Sequence, residues 1–137
     1  MMVSTKGRYA LRVMIDLAQN SEGEFLALKD IAERQEISVK YLEMIVSLLH
    51  KGKMLESQRG KSGGYRLTRD ASQYTIGAIL KLTEGTLAPV NCLEVGASSC
   101  SRAQECITLP MWQRLDQVID DYLESVTLED LIQGNVK

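Results

Sequence analysis

Histidine occurs once in this chain of 137 residues, proline twice and cysteine three times. With His50 as the sole histidine, no Ser/His/Asp constellation is present, and no glycine-rich phosphate-binding motif stands in its place. The chain therefore does not read as an enzyme or as a binder of a small-molecule substrate. No hydrophobic run is long enough to cross a membrane. The apolar stretch that follows Lys6, Arg8 and Arg12 is broken by Asp16, so it reads neither as a signal peptide nor as a membrane span. These absences place the protein in the cytoplasm, where an odd number of clustered cysteines points to metal or redox chemistry instead of a disulfide framework. Internal repeats and low-complexity tracts are absent as well.

The length suits one ordinary domain, or a compact domain with an appended helical element. A net charge of -2 argues against a polyanionic partner until the charges are placed. Residues 1 to 70 carry twelve Lys or Arg against nine acids, a net of +3, whereas residues 71 to 137 carry four against nine, a net of -5. A basic head joined to an acidic tail suggests two different tasks.

Apolar residues at Ala10, Leu11, Met14, Leu17 and Ala18 predict an amphipathic helix over Arg8 to Asn20. A polar turn follows, then a short helix over Leu28 to Gln35. Ser38 is placed to cap a third helix from Val39 to about His50, whose buried stripe is Leu42, Ile45, Val46 and Leu49. Gly52 is expected to supply a left-handed cap between Lys51 and Lys53. His50, at that end, reads as a partner for the helix dipole and not as a catalyst. Two strands, Met54 to Gln58 and Gly64 to Leu67, flank the basic, glycine-rich tip Arg59-Gly60-Lys61-Ser62-Gly63.

Two short helices, a tight turn and a basic hairpin predict a winged helix-turn-helix. An α-helix fits the major groove, and an Arg on a narrow wing can enter the minor groove. Exposed Lys40 and Tyr41 near the start of the third helix are candidates for base edges, and Arg59 and Lys61 for phosphate or minor-groove contact. Read singly, a Lys40–Glu43 pair is a solvated helix face and a basic hairpin is edge protection. Together with the capped helix and the basic head they point to DNA.

Thr75 can cap a fourth helix from Ile76 to about Leu82 that stops at Gly85. A long loop to Glu105 leads into a helix through about Val126, with Pro110 in its first turn. Trp112, Leu115, Ile119, Tyr122 and Val126 form a heptad-type seam, and Met111, Val118 and Leu123 widen it, so the helix is expected to pack on its own head and to pair with a second subunit. Thr127 to Asp130 opens a last short helix. The expected architecture is mainly α, with a DNA-binding winged helix-turn-helix over 1–84, a cysteine loop over 85–107, and a long dimerisation helix with a short terminal helix over 108–137.

Cys92, Cys100 and Cys106 fall within fifteen residues of that loop. Soft thiolates select zinc, copper(I) or iron–sulfur clusters. Structural zinc sites favour a tight Cys-x2-4-Cys pair, which is missing, while wider spacing suits a cluster.

The segments STKGRYALRVMIDLA, SVKYLE, RGKSGGYRL and CITLPMW together resemble the IscR-type iron–sulfur regulators, bacterial winged-helix repressors that also include nitric oxide sensors and cysteine-metabolism regulators. The resemblance covers essentially the whole chain. It implies a homodimer joined by the long helix, bound to palindromic double-stranded DNA, with a cluster, 2Fe-2S in preference to 4Fe-4S, on Cys92, Cys100 and Cys106. It assigns DNA reading to Lys40, Tyr41, Glu43, Arg59 and Lys61, and cluster-assembly or sulfur-metabolism operons as targets. The family's cluster histidine, three residues after the last cysteine, is replaced here by Leu109, and the acid that nitric oxide sensors use near the N-terminus is replaced by Arg8. The fourth ligand is thus unassigned among Glu105, Thr108, His50 and Glu43. Glu43 could accept from cytosine N4 or bind iron, but not both at once. Nitric oxide or redox sensing on the same fold, and a zinc-stabilised dimeric interaction module, are the alternatives.

Overall fold

The computed structural model describes residues 3–94 and 102–136. Helix α1 spans Thr5–Asn20, α2 Leu28–Gln35 and α3 Val39–Lys51; strands β1 (Leu55–Gln58) and β2 (Gly64–Leu67) form the wing; α4 spans Ile76–Glu84, α5 Leu109–Ser125 and α6 Leu128–Gln133. This is a mainly helical winged helix-turn-helix.

Helix α1 begins three residues earlier than the apolar periodicity indicates, because its start is set by a cap. Ser4 Oγ accepts from the Gly7 amide and donates to Glu84 Oε1 at 2.6 Å, and the same carboxylate accepts from the Ser4 amide at 3.0 Å. An acid from the end of α4 thus sits at the positive end of the α1 dipole. From α1, Ala10, Val13, Met14 and Leu17 are fully buried against Ile31, Leu42, Ile45, Leu49 and Ile79. The stripe expected for α3 is the stripe observed, with Leu42, Ile45, Val46 and Leu49 all buried.

Gly52 departs from expectation. Its φ is -79°, and Lys53 takes the left-handed conformation at φ 62°. Its contact is with a distant residue: a Cβ at 52 would meet the methyl groups of Leu82, which would have to shift.

The wing pairs Leu55 with Leu67 and Gln58 with Gly64 in antiparallel register. A third backbone segment joins it, since Leu26 and Tyr65 exchange both amide bonds at 2.8 and 2.9 Å. Gly64, with φ 149°, accommodates this approach, because a Cβ would strike the Leu26 carbonyl.

Pro110 falls in the first turn of α5, as expected. Lys81 Nζ of α4 reaches Asp120 Oδ1 at 2.5 Å and Glu124 Oε1 at 3.0 Å, and Thr75 donates to Glu124 Oε2 at 2.9 Å. These polar ties, with Ile119 and Leu123 packed on the core, lay one side of α5 on the head. The chain then re-enters the head. Ile76 donates to the Val126 carbonyl at 2.8 Å and Leu128 to the Tyr74 carbonyl at 2.9 Å, and Thr127 opens α6 with a reciprocal capping box to Asp130. Val126, expected in the intersubunit seam, is therefore buried in its own chain and is 7% exposed. The apolar side chains left outward on α5 are Met111, Leu115, Val118 and Tyr122, at spacings of four, three and four. The outward stripe differs from the expected one: of the expected set, Leu115 and Tyr122 face outward, Trp112 is half-buried, and Ile119 and Val126 serve the head. A stripe of 3.6-residue period on a helix with a wide apolar surface gives the residue spacing but not which side meets the head.

Candidate nucleic-acid interface and cysteine loop

The turn that aims α3 is short. Glu36 ends α2 in the left-handed conformation, φ 54° and ψ 45°, Ile37 is buried, and Ser38 Oγ accepts from the Tyr41 amide at 3.2 Å to start α3. Helix α2 is held against α1 by a buried charge. Asp16, 1% exposed, receives Arg34 in a two-pronged pair at 2.7 and 3.0 Å and Gln35 Nε2 at 2.8 Å. The hydrogen bonds that Arg34 donates to Asp16 raise the guanidinium above its ordinary value, against an opposing cost of burial, and the charge of Asp16 adds to the rise. Gln35 in turn receives Arg12 Nε at 3.1 Å; the Arg12 guanidinium lies 5.0 Å over the Tyr9 ring, and Tyr9 meets Tyr41 edge to face at 5.8 Å. A continuous set of contacts runs from buried Asp16 to the first turn of α3.

That first turn carries the expected readers. Lys40 and Glu43 are exposed. Tyr41 is not fully exposed as expected: it is half-buried because its ring packs on Tyr9 and the core. Val39 and Met44 are exposed apolar neighbours, each 44% accessible. Arg59 and Lys61 are exposed at the wing tip on either side of Gly60, whose φ of 106° makes the turn. Only Gly52, Lys53 and Met54 separate α3 from β1, so helix and wing are closely joined. His50 is exposed in the last turn of α3, its Nε2 3.4 Å from Ser57 Oγ of β1.

The wing root depends on a hydroxyl that the sequence did not single out. Tyr74, 1% exposed, donates to the Met54 carbonyl at 2.9 Å and accepts from the amides of Thr68 at 2.9 Å and Arg69 at 3.2 Å. It thereby ties the start of β1 to the end of β2. Arg66 pairs with Glu56 across the strands, donates to the Gly23 carbonyl at 2.9 Å and lies 4.2 Å over Phe25. No spacing rule announces Tyr74; Asp16 had a signal, a charge inside an apolar stripe.

Of the cysteines, Cys92 is exposed in a turn of 3-10 helix over Asn91–Leu93, and Cys106 is half-buried just before α5; both are free thiols. Cys100 lies outside the described residues. Among the described residues no three His, Cys, Asp or Glu side chains gather as a metal site, and His50 has its ring beside Ser57 of the wing. Of the four candidate ligands, Thr108 touches a cysteine, with Oγ1 3.4 Å from Cys106 Sγ. That hydroxyl lowers the Cys106 thiol below its ordinary value against a cost of desolvation, with the backbone amides of Leu109 and Thr108 and the charge of Arg102 adding to the lowering. A thiol poised toward thiolate at a helix start is of the kind that suits a sulfur-ligated iron centre.

A family model described as Rrf2, iron-dependent transcriptional regulator, matches residues 3–134. The transcriptional regulator IscR of Vibrio campbellii is 37% identical over 135 residues, covering 98% of this chain and 79% of its own. IscR of Escherichia coli O1:K1 is 36% identical over 134 residues, covering 98% and 82%. Among solved structures, the cysteine regulator CymR of B. subtilis superposes with a TM-score of 0.79 at 36% identity over 98% of both chains. IscR of T. potens does so with 0.74 at 33% identity over 98% of this chain and 88% of that one.

Proposed function

This chain belongs to the Rrf2 family of transcriptional regulators, and on that premise we propose that it is a dimeric repressor whose DNA binding responds to an iron–sulfur cluster. DNA binding and the absence of enzymatic activity come with the family. The operator, the cluster and the dimer are our reading.

The observation that carries it is the capped, rigidly seated first turn of α3 beside a basic wing. Lys40 and Tyr41 are assigned to base edges and backbone in the major groove, Glu43 to a cytosine amine, and Arg59 and Lys61 to the minor groove and phosphates. The outward stripe Met111, Leu115, Val118 and Tyr122 supports pairing of two copies through α5. Two-fold pairing would present two heads to a palindromic site. Cys92, Cys100 and Cys106 would hold a cluster, 2Fe-2S in preference to 4Fe-4S, with one further oxygen or nitrogen donor; Thr108 has the nearest claim through its contact with Cys106, and Glu43 remains the candidate that would couple cluster and base reading directly. When bound, such a group supplies oxidisable, exchange-prone iron. The residues of this chain do the rest, Cys106 as thiolate at the start of α5 and Lys81 holding α5 on α4. Cluster-assembly or sulfur-metabolism operons are the proposed targets.

Anaerobically purified protein should show sulfur-to-iron charge-transfer absorption that is lost in Cys92→Ala, and should retard a selected duplex. Colourless protein with stoichiometric zinc would overturn the cluster while leaving DNA binding to stand.

A further inference from the structure

We infer that Met44 is a specificity-determining residue that reads a thymine methyl group in the major groove, beside the base read by Lys40. The inference rests on the proposal that α3 is the DNA-reading helix and goes beyond it by naming a base.

Along α3 the inward side is filled by Leu42, Ile45, Val46 and Leu49, so core packing does not require an apolar residue at position 44. Yet Met44 is a large apolar side chain left 44% exposed, one turn from Lys40. A scattered exposed methionine alone means little. Here it lines, with Ser38, Lys40 and Tyr41, an open and mostly apolar depression at the very turn that must enter the groove. Tyr41 is held there by its edge contact with Tyr9, and Ser38 by capping the helix, so both are already engaged, whereas Lys40 and Met44 extend from the exposed side. A flexible thioether on such a floor can close over a methyl group but offers no donor to a base edge. In the major groove the one apolar feature of a base pair is the thymine C5-methyl. Four residues of helix rise about 6 Å, against about 3.4 Å per base pair, so the thymine lies one to two pairs from the base that Lys40 contacts.

The test begins with a binding site selected by the full-length protein from random duplexes, in which each thymine is then replaced singly by deoxyuridine. Wild-type affinity should fall about four-fold at one thymine per half-site, as expected for exposing one methyl group. In Met44→Gln the same replacement should have no effect, and Met44→Leu should restore it. Matching thermal unfolding would show all three proteins folded. A selected site with no methyl-sensitive position, or one whose sensitivity survives in Met44→Gln, overturns the inference. Failure to enrich any site would instead refute DNA reading by α3.

Discussion

Replacing Tyr74 by Phe removes one oxygen from the root of the wing and leaves the ring in place. In the native protein that oxygen donates to the Met54 carbonyl and accepts from the Thr68 and Arg69 amides, all within 3.2 Å. The variant therefore orphans two backbone donors and one acceptor beneath a side chain that is 1% exposed. At about 1 kcal/mol net per lost bond, three losses approach 3 kcal/mol. Thr68 and Arg69 are exposed, and Thr68 Oγ1 already reaches the Met54 carbonyl at 3.5 Å, so water and that hydroxyl recover part. A destabilisation of about 2 kcal/mol remains, which for a chain of this size lowers Tm by roughly 8 °C. Urea unfolding followed by circular dichroism measures it directly. Because the bonds join the two strand ends and not the tip, DNA affinity should fall too, through a loosened wing, while Arg59 and Lys61 are untouched. A loss of stability under about 0.5 kcal/mol, the size of an ordinary surface effect, would show that the hydroxyl does not hold the wing.

Asp16→Ala should cost about 3 kcal/mol in the same assay, because Arg34 and Gln35 lose their buried acceptor and α2 its seat; wild-type stability in the variant would refute the role given to that acid. For Arg59→Ala we expect DNA binding weaker by about 1 to 3 kcal/mol if the side chain makes a base contact, and by less, with a shallower salt dependence, if it meets only phosphate. Leu115→Glu, an outward position on α5 that is 40% exposed, should yield monomers by analytical ultracentrifugation with little change in helix content; an unaltered dimer would place the interface elsewhere. In metal-free protein Cys106 should be alkylated at lower pH than an ordinary thiol, since its depressed value means that thiolate appears earlier as pH rises, and Thr108→Val should move that profile to higher pH. An unmoved profile would exclude the Thr108 hydroxyl as the cause.

Local signals carried far in this chain. Ser38, Thr75 and Thr127 mark three helix starts, and each caps its helix as the pattern requires, because an N-cap is settled by one side chain and the amide two or three residues on. The stripe of α3 and the two wing strands were equally legible from period and glycine placement. Where the reading failed, the deciding partner lay far along the chain. Gly52 answers to Leu82, Val126 to the backbone of Ile76, and the start of α1 to Glu84.

The sequence by itself therefore determined a winged helix-turn-helix with a basic wing, a three-cysteine loop and a long amphipathic helix, since caps, periodicity and charge are written locally. Tertiary structure alone decided which side of α5 faces outward, that Tyr74 anchors the wing, and that Asp16 braces α3 through Gln35, Arg12 and Tyr9. Those assignments are differences between competing contacts of distant residues, and only the folded chain brings the competitors within reach of one another.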